Sequence, residues 1–313
     1  MVAEIIDGRR IAEEIRREVR EAVGQLVSRA SITPGLAVVL VGDDPASATY
    51  VASKEKAAKE CGMYSKTFEL PSSTEEKELL DFIEELNQTP EFHGILVQLP
   101  LPAEVNVLKV MNAIDPSKDI EGLNPSDAGW LLAGEPRFVP CTPAGIHRML
   151  LATGHHPDGQ HVVVVGGSLI VGRPLAALLL QEKPWANATV TICHIGTRDL
   201  PRFTRQADIL VVATGNPRGI TGEMVKEGVV VIDVGIHRIE DSTKQKGYHL
   251  VGDVDFESVK KLARAISPVP GGVGPMTVAM LLVNTLKAAR LSARAPISRH
   301  HIEDWEGVKP PVA

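Results

Sequence analysis

A series of short apolar runs, each closed by a glycine or polar turn, constrains this chain more than any other feature. They read "GLAVVLVGDDPAS", "GILVQLPLP", "HVVVVGG", "ATVTICH", "ADILVVATG" and "GVVVIDVG". Their lengths suit strands rather than membrane spans, and the near absence of polar alternation marks strands buried on both faces. Stretches of helical period separate them, so the chain predicts an α/β protein with parallel sheets. At 313 residues it suits two domains. A catalytic α/β domain is expected over residues 1–140 plus 276–290, and a Rossmann-like doubly wound domain over 141–275, the two flanking a cleft. Residues 291–313 form a tail with no clear period.

Composition narrows the partners. Hydrophobic residues make 44%, aromatic residues 4%, and the formal net charge is -6, which disfavours a nucleic-acid groove or an anionic membrane surface. Small molecules are the expected partners. Cys61, Cys141 and Cys193 have neither disulfide-framework nor zinc spacing, and no metal site is signalled. The start "MVAEIIDGRR" has no apolar region behind a basic one, so a cytoplasmic location is expected.

Within "YVASKEKAAKECG", a helical winding of about 100° per residue places Tyr50, Lys54, Ala57, Ala58 and Cys61 on one face, with Lys56 and Lys59 opposite. Lys54 therefore shares an apolar face. It either lays its stem along the core with the ammonium in water, or points into a cleft where desolvation suits an ammonium to proton chemistry. Gln98 stands at the carboxyl end of an apolar strand, where open α/β sheets bind ligands. It can be tied to loop backbone, or hold a ligand or a neighbouring lysine.

"GGSLIVG", from Gly166 to Gly172, links a strand to a helix, where backbone N–H groups can cradle a pyrophosphate. A tight turn is the alternative. "PVPGGVGPMT" is read as a rigid loop whose Thr277 caps the next helix and whose glycines allow close approach of a flat ligand. Asp115, Asp119 and Glu121 read as a solvated acidic loop, one member of which could accept hydrogen bonds from an amino-heterocycle. The pairs His155-His156 and His300-His301 read as exposed.

Taken in order, "VGDDPASATYVASKEKAAKECG", "GILVQLPLP", "PCTPAGI", "GGSLIVGRP", "ATVTICH" and "PVPGGVGPMTVAMLL" resemble the methylenetetrahydrofolate dehydrogenase/cyclohydrolase family. The likeness runs from about Ala3 to Ala289. It implies oxidation of 5,10-methylenetetrahydrofolate by hydride transfer to a nicotinamide, hydrolysis of the methenyl product to 10-formyltetrahydrofolate, and a homodimer. By motif position it implies Lys54 as catalytic lysine, Gln98 as its tuning partner, and Tyr50 stacked on the aminobenzoyl ring. Tyr50, Gln98, Glu121, Pro270 and Gly271 become substrate contacts. Gly166, Gly167, Ser168, Gly172, Ile195, Ile236 and Thr277 become dinucleotide contacts.

Three positions depart from the family pattern. Glu121 stands where it usually has aspartate, Gly167 where arginine usually meets the 2′-phosphate of NADP, and Ile195 where serine is common. NADP is the family default; NAD is the alternative those changes raise, with Arg173 and Arg198 as substitute cations. A short-chain dehydrogenase, suggested by Tyr50-x-x-x-Lys54, is opposed by chain order, since the glycine turn follows that pair. A catalytically impaired folate- and dinucleotide-binding protein of the same fold is the rival outside enzymes.

Overall fold

The computed structural model describes residues 2–244 and 247–293. The chain runs β1 (Glu4–Ile5), α1 (Gly8–Ala30), β2 (Gly35–Val41), α2 (Pro45–Glu60), β3 (Tyr64–Leu70), α3 (Glu76–Gln88), β4 (Gly94–Val97), α4 (Val107–Ala113), α5 (Pro125–Leu132) and α6 (Cys141–Ala152). It continues as β5 (His161–Val165), α7 (Gly172–Leu179), β6 (Thr189–Cys193), α8 (Leu200–Thr204), β7 (Ile209–Val212), β8 (Val230–Asp233), β9 (His237–Glu240), β10 (Tyr248–Val251), α9 (Phe256–Val259), β11 (Ala265–Ile266) and α10 (Val273–Ser292). Two compact units result. Among the described residues, one holds 2–12 and Thr142–Thr277; the other holds Glu13–Cys141 and 278–293.

The smaller sheet is parallel, in the order β3-β2-β4. All seven residues of β2 are buried, as expected of a central strand covered on both faces. Leu79, Ile83 and Leu86 of α3 recur at helical spacing and pack with Val39, Ile95 and Val97. Asp44 starts α2, its carboxylate accepting the Ser47 N–H at 2.7 Å, with Pro45 at the first helical position. At its far end the Glu60 carbonyl accepts from Arg20 Nε at 2.8 Å, which fixes the rotation of α2 against α1.

The larger sheet has the order β1-β11-β8-β7-β5-β6, and every pairing is parallel. The chain leaves β5 for β6 on one side and returns to β7 on the other, so the carboxyl ends of β5 and β7 form the switch point of a doubly wound sheet. Its outer strand corrects an expectation. Residues 4–5, assigned from sequence to the first domain, pair instead with Ala265 and Ile266. A two-residue strand carries no period to read.

Three further expectations change. Helix α10 begins at Val273, so Thr277 lies inside it and donates to the Val273 carbonyl at 3.3 Å rather than capping. His155 is buried, with Nε2 3.5 Å from a Glu4 carboxylate oxygen across the β1 edge. Asp119 is also buried, while Asp115 is exposed. His300, His301 and the tail from residue 294 lie outside the described residues. No described helix is long and apolar enough to cross a membrane.

Candidate active site

Helix α2 delivers Lys54 from its inner face. Lys56 and Lys59 are exposed, whereas Lys54 is only 6% exposed, together with buried Val51, Ala57 and Ala58. Its ammonium donates to Gln98 Oε1 at 3.0 Å. The Gln98 amide NH2 donates to the Leu99 carbonyl at 2.6 Å, which turns its oxygen toward the lysine. Both readings of Gln98, a loop tie and a lysine partner, thus hold through opposite ends of one amide. Tyr50 stands one turn earlier on α2, 38% exposed, and partial burial raises its phenol pKa.

Glu121 completes this cluster, with Oε1 3.9 Å from Lys54 Nζ. Burial raises the pKa of its carboxyl, and Lys54 opposes that shift. The loop that carries it is held from several sides. The Lys118 carbonyl accepts from Ile95 of β4 at 2.9 Å, and Asn284 of α10 donates to the carbonyls of Ile120 at 2.8 Å and Val139 at 3.1 Å. Gly122 follows at φ +67°, where an added Cβ would lie 2.9 Å from the Pro140 nitrogen. Asp119, 2% exposed, accepts the Asn124 N–H at 2.6 Å; burial pushes its pKa up to about 7. Its role as an internal brace was not visible from the sequence, where it read as solvated.

In the six-stranded unit, the Gly166–Gly172 turn leaves β5 and opens α7. A Cβ on Gly166 would lie 2.2 Å from the Ala213 carbonyl oxygen, and one on Gly172 would lie 1.7 Å from that of Gly166. Neither position admits a side chain. Gly167 is different, since its Cβ would meet only the His194 side chain, the nearest atom being Cβ at 3.3 Å. Ser168 Oγ accepts the Val171 N–H at 3.1 Å ahead of α7. A bare backbone turn before a helix amino end is the shape a pyrophosphate requires, so these residues fit a dinucleotide.

One of the two substitute cations, Arg173, lies at this turn. Arg173 Nε donates to the Gly167 carbonyl at 3.0 Å, anchoring its guanidinium over the turn. No acid stands at the end of β6, which closes on Cys193 and is followed by His194 and a fully exposed Ile195. His194 Nδ1 accepts the Gly196 N–H at 3.0 Å, which leaves any ring proton on Nε2. Ile236 lies just beyond β8 and is 40% exposed. Thr277 Oγ1 is 3.0 Å from Thr142 Oγ1, and the Gly271 carbonyl accepts the Arg9 N–H at 3.0 Å in the loop that also carries Pro270. Lys54, Gln98 and Glu121 therefore form one cluster in the three-stranded unit, while Gly166, Gly167, Ser168, Gly172, Ile195, Ile236, Pro270, Gly271 and Thr277 belong to the six-stranded unit.

The chain is similar to known proteins over nearly its whole length. Residues 6–121 match the tetrahydrofolate dehydrogenase/cyclohydrolase catalytic domain, and residues 140–293 match that family's NAD(P)-binding domain. The bifunctional protein FolD of Syntrophus aciditrophicus is 53% identical over 293 residues, covering 94% of this chain and 99% of that protein. The crystal structure of the bifunctional FolD dehydrogenase/cyclohydrolase of Campylobacter jejuni superposes with a TM-score of 0.86 at 46% identity, covering 93% of this chain and 99% of that one. The Trypanosoma brucei FolD enzyme, solved with NADP and an inhibitor, gives a TM-score of 0.88 at 41% identity over 94% of this chain and 99% of that one. On these matches, and on the fold and clusters that accompany them, the chain belongs to the tetrahydrofolate dehydrogenase/cyclohydrolase family.

Proposed function

We propose that this chain performs both reactions of its family, using Lys54 as the catalytic lysine. It oxidises 5,10-methylenetetrahydrofolate to the methenyl cation and hydrolyses that cation to 10-formyltetrahydrofolate. The observation that carries the reading is the buried Lys54 ammonium held at 3.0 Å by Gln98 and faced by Glu121. When bound, a nicotinamide dinucleotide supplies the acceptor for the hydride. Hydride removal leaves a cation and needs no strong acid. Water attack does need proton management: a C–O bond forms at the methenyl carbon, the bond to N5 breaks, one water proton ends on N5 and the other is released.

Lys54 orients the attacking water and passes on the proton it sheds. Gln98 keeps the ammonium in register, because its own NH2 is already committed to the Leu99 carbonyl. Glu121 accepts hydrogen bonds from the amino-heterocycle of the pterin, and the Tyr50 ring stacks on the aminobenzoyl group. Gly166, Ser168 and Gly172 receive the pyrophosphate, with Ile195, Ile236 and Thr277 as further contacts.

The preferred dinucleotide is NADP. No carboxylate stands at the end of β6 to grip a ribose diol and repel a 2′-phosphate, and Arg173 is anchored at Gly167 in place of an arginine at that position. The chain is a cytoplasmic homodimer in this reading, in keeping with three free, buried cysteines; light scattering tests the dimer. The deciding experiment follows methenyl formation with NADP and NAD in parallel at matched subsaturating concentrations, then methenyl hydrolysis without dinucleotide. Faster turnover with NADP and rapid hydrolysis are expected. Faster turnover with NAD would reverse the cofactor assignment, and no turnover with either would remove the dehydrogenase.

A further inference from the structure

The exits of β7, β8 and β10 converge on two carboxylates that the reaction does not use. Asp253 is fully buried. Its Oδ2 accepts the N–H groups of Thr214 at 2.6 Å and Gly215 at 3.0 Å, and its Oδ1 lies 2.7 Å from His237 Nε2. Asp233 supports it from below: Oδ1 accepts the N–H groups of Gly235 at 3.0 Å and Asp253 at 2.9 Å, and Oδ2 accepts that of Val254 at 3.0 Å. Both groups bonded to Asp253 Oδ2 are backbone donors, so a carboxylate oxygen suits the position.

The fit is close on all sides. A Cβ on Gly235 would lie 2.3 Å from Asp253 Oδ1, and one on Gly252 would lie 1.8 Å from Asp233 Oδ2. Ile236 sits between two residues held in this way, Gly235 by Asp233 and His237 by Asp253. The Thr214–Gly215 turn leaves β7 at the switch point, beside the glycine turn, since Gly166 has room for no Cβ against Ala213.

We propose that Asp253 is a positioning residue for the dinucleotide: it ties the turn after β7 to the start of β9 and fixes both strand exits in the shape that binds the cofactor. The proposal rests on the dinucleotide site assigned above. Asp253 touches no reacting atom and acts through backbone it holds in place.

The test measures dinucleotide affinity by calorimetry on the free chain, alongside dehydrogenase and cyclohydrolase kinetics. Asp253→Ala is expected to raise the NADP Kd and KM by about tenfold or more, with kcat at saturation and methenyl hydrolysis within about twofold of wild type. Asp253→Asn restores most of the affinity, because its oxygen still accepts the two turn N–H groups while His237 changes tautomer to accept from the amide. An unchanged Kd in Asp253→Ala overturns the proposal. So does a loss of cyclohydrolase in a folded variant in step with the loss of binding, which would mark a general structural role. Should Asp253→Ala fail to fold, His237→Leu decides: about a threefold rise in Kd supports the clamp, and no change removes it. A wild-type chain that binds neither dinucleotide would overturn the site assignment itself, and the clamp with it.

Discussion

In the three-stranded unit, Glu121 stands 3.9 Å from a lysine whose ammonium reaches one amide oxygen. In the six-stranded unit, Asp253 has both oxygens engaged by the chain itself, one by two backbone N–H groups and one by His237. The first cluster keeps unused hydrogen-bonding capacity: an ammonium offers three donors, and a single contact to Gln98 leaves others for a substrate or water. The second uses its capacity internally and shapes loops. In the proposed function, side chains supply chemistry in the first unit, and backbone held by side chains supplies binding in the second.

The sharpest way to break this contrast is to remove the lysine. Lys54→Met is expected to slow methenyl hydrolysis by about 10²- to 10⁴-fold while the chain remains folded, as followed by methenyl absorbance and circular dichroism. Hydrolysis at the wild-type rate would strip the first cluster of its chemical role. Next in size is the backbone side of the contrast. Gly172→Ala places a methyl 1.7 Å from the Gly166 carbonyl oxygen and is expected to cost about 3 kcal/mol in chemical denaturation, together with dinucleotide affinity. Gly167→Ala, whose methyl meets only His194, is expected to cost under about 1 kcal/mol. Equal costs would show that the turn is not shaped by contact.

An effect of similar size on stability concerns Asp119, which burial raises to about 7 from an ordinary value of 3.8. Between those values the folded chain keeps a proton that the unfolded chain has lost. The stabilisation from that proton is present below about pH 4 and is lost as pH rises through about 7. Asp119→Asn cannot lose it, so the stability of the variant relative to wild type should increase by about 3 kcal/mol from about pH 5 to about pH 8 in urea titrations. A pH-independent difference would place the titration elsewhere. A further effect is expected for binding of a dinucleotide phosphate: Arg173→Met should lower the NADP-to-NAD preference in kcat/KM by roughly tenfold, and an unchanged ratio would leave the preference to other groups.

How far each cluster could be read ahead of the structure follows from the sequence distance of its contacts. Lys54 was legible because a helix face is a local property: Lys56 and Lys59 turn outward and Lys54 inward by winding alone. Gln98 was legible as a polar residue closing an apolar strand. The partners of Asp253 lie 16 to 39 residues away, after β7, at the end of β8 and at the start of β9, so no short window of sequence contains them. The only local hint was glycine beside each acid, in "DVG" and "VGDV". Asp119 misled for a related reason. An acid among other acids reads as solvated until Ile95, Phe138 and Asn284, from three other segments, enclose its loop.

The sequence by itself determined the alternation of buried strands and helices, the doubly wound sheet, the glycine turn and the inward lysine. Each follows from local period, turn chemistry or chain order. Only the tertiary structure decided that the first strand joins the second sheet, that His155 and Asp119 are buried, that Thr277 lies within a helix instead of capping it, and that Asp253 holds the switch-point loops. Those outcomes depend on which segments meet across long stretches of chain, and hydrogen-bonding demand at buried backbone is settled only when they do.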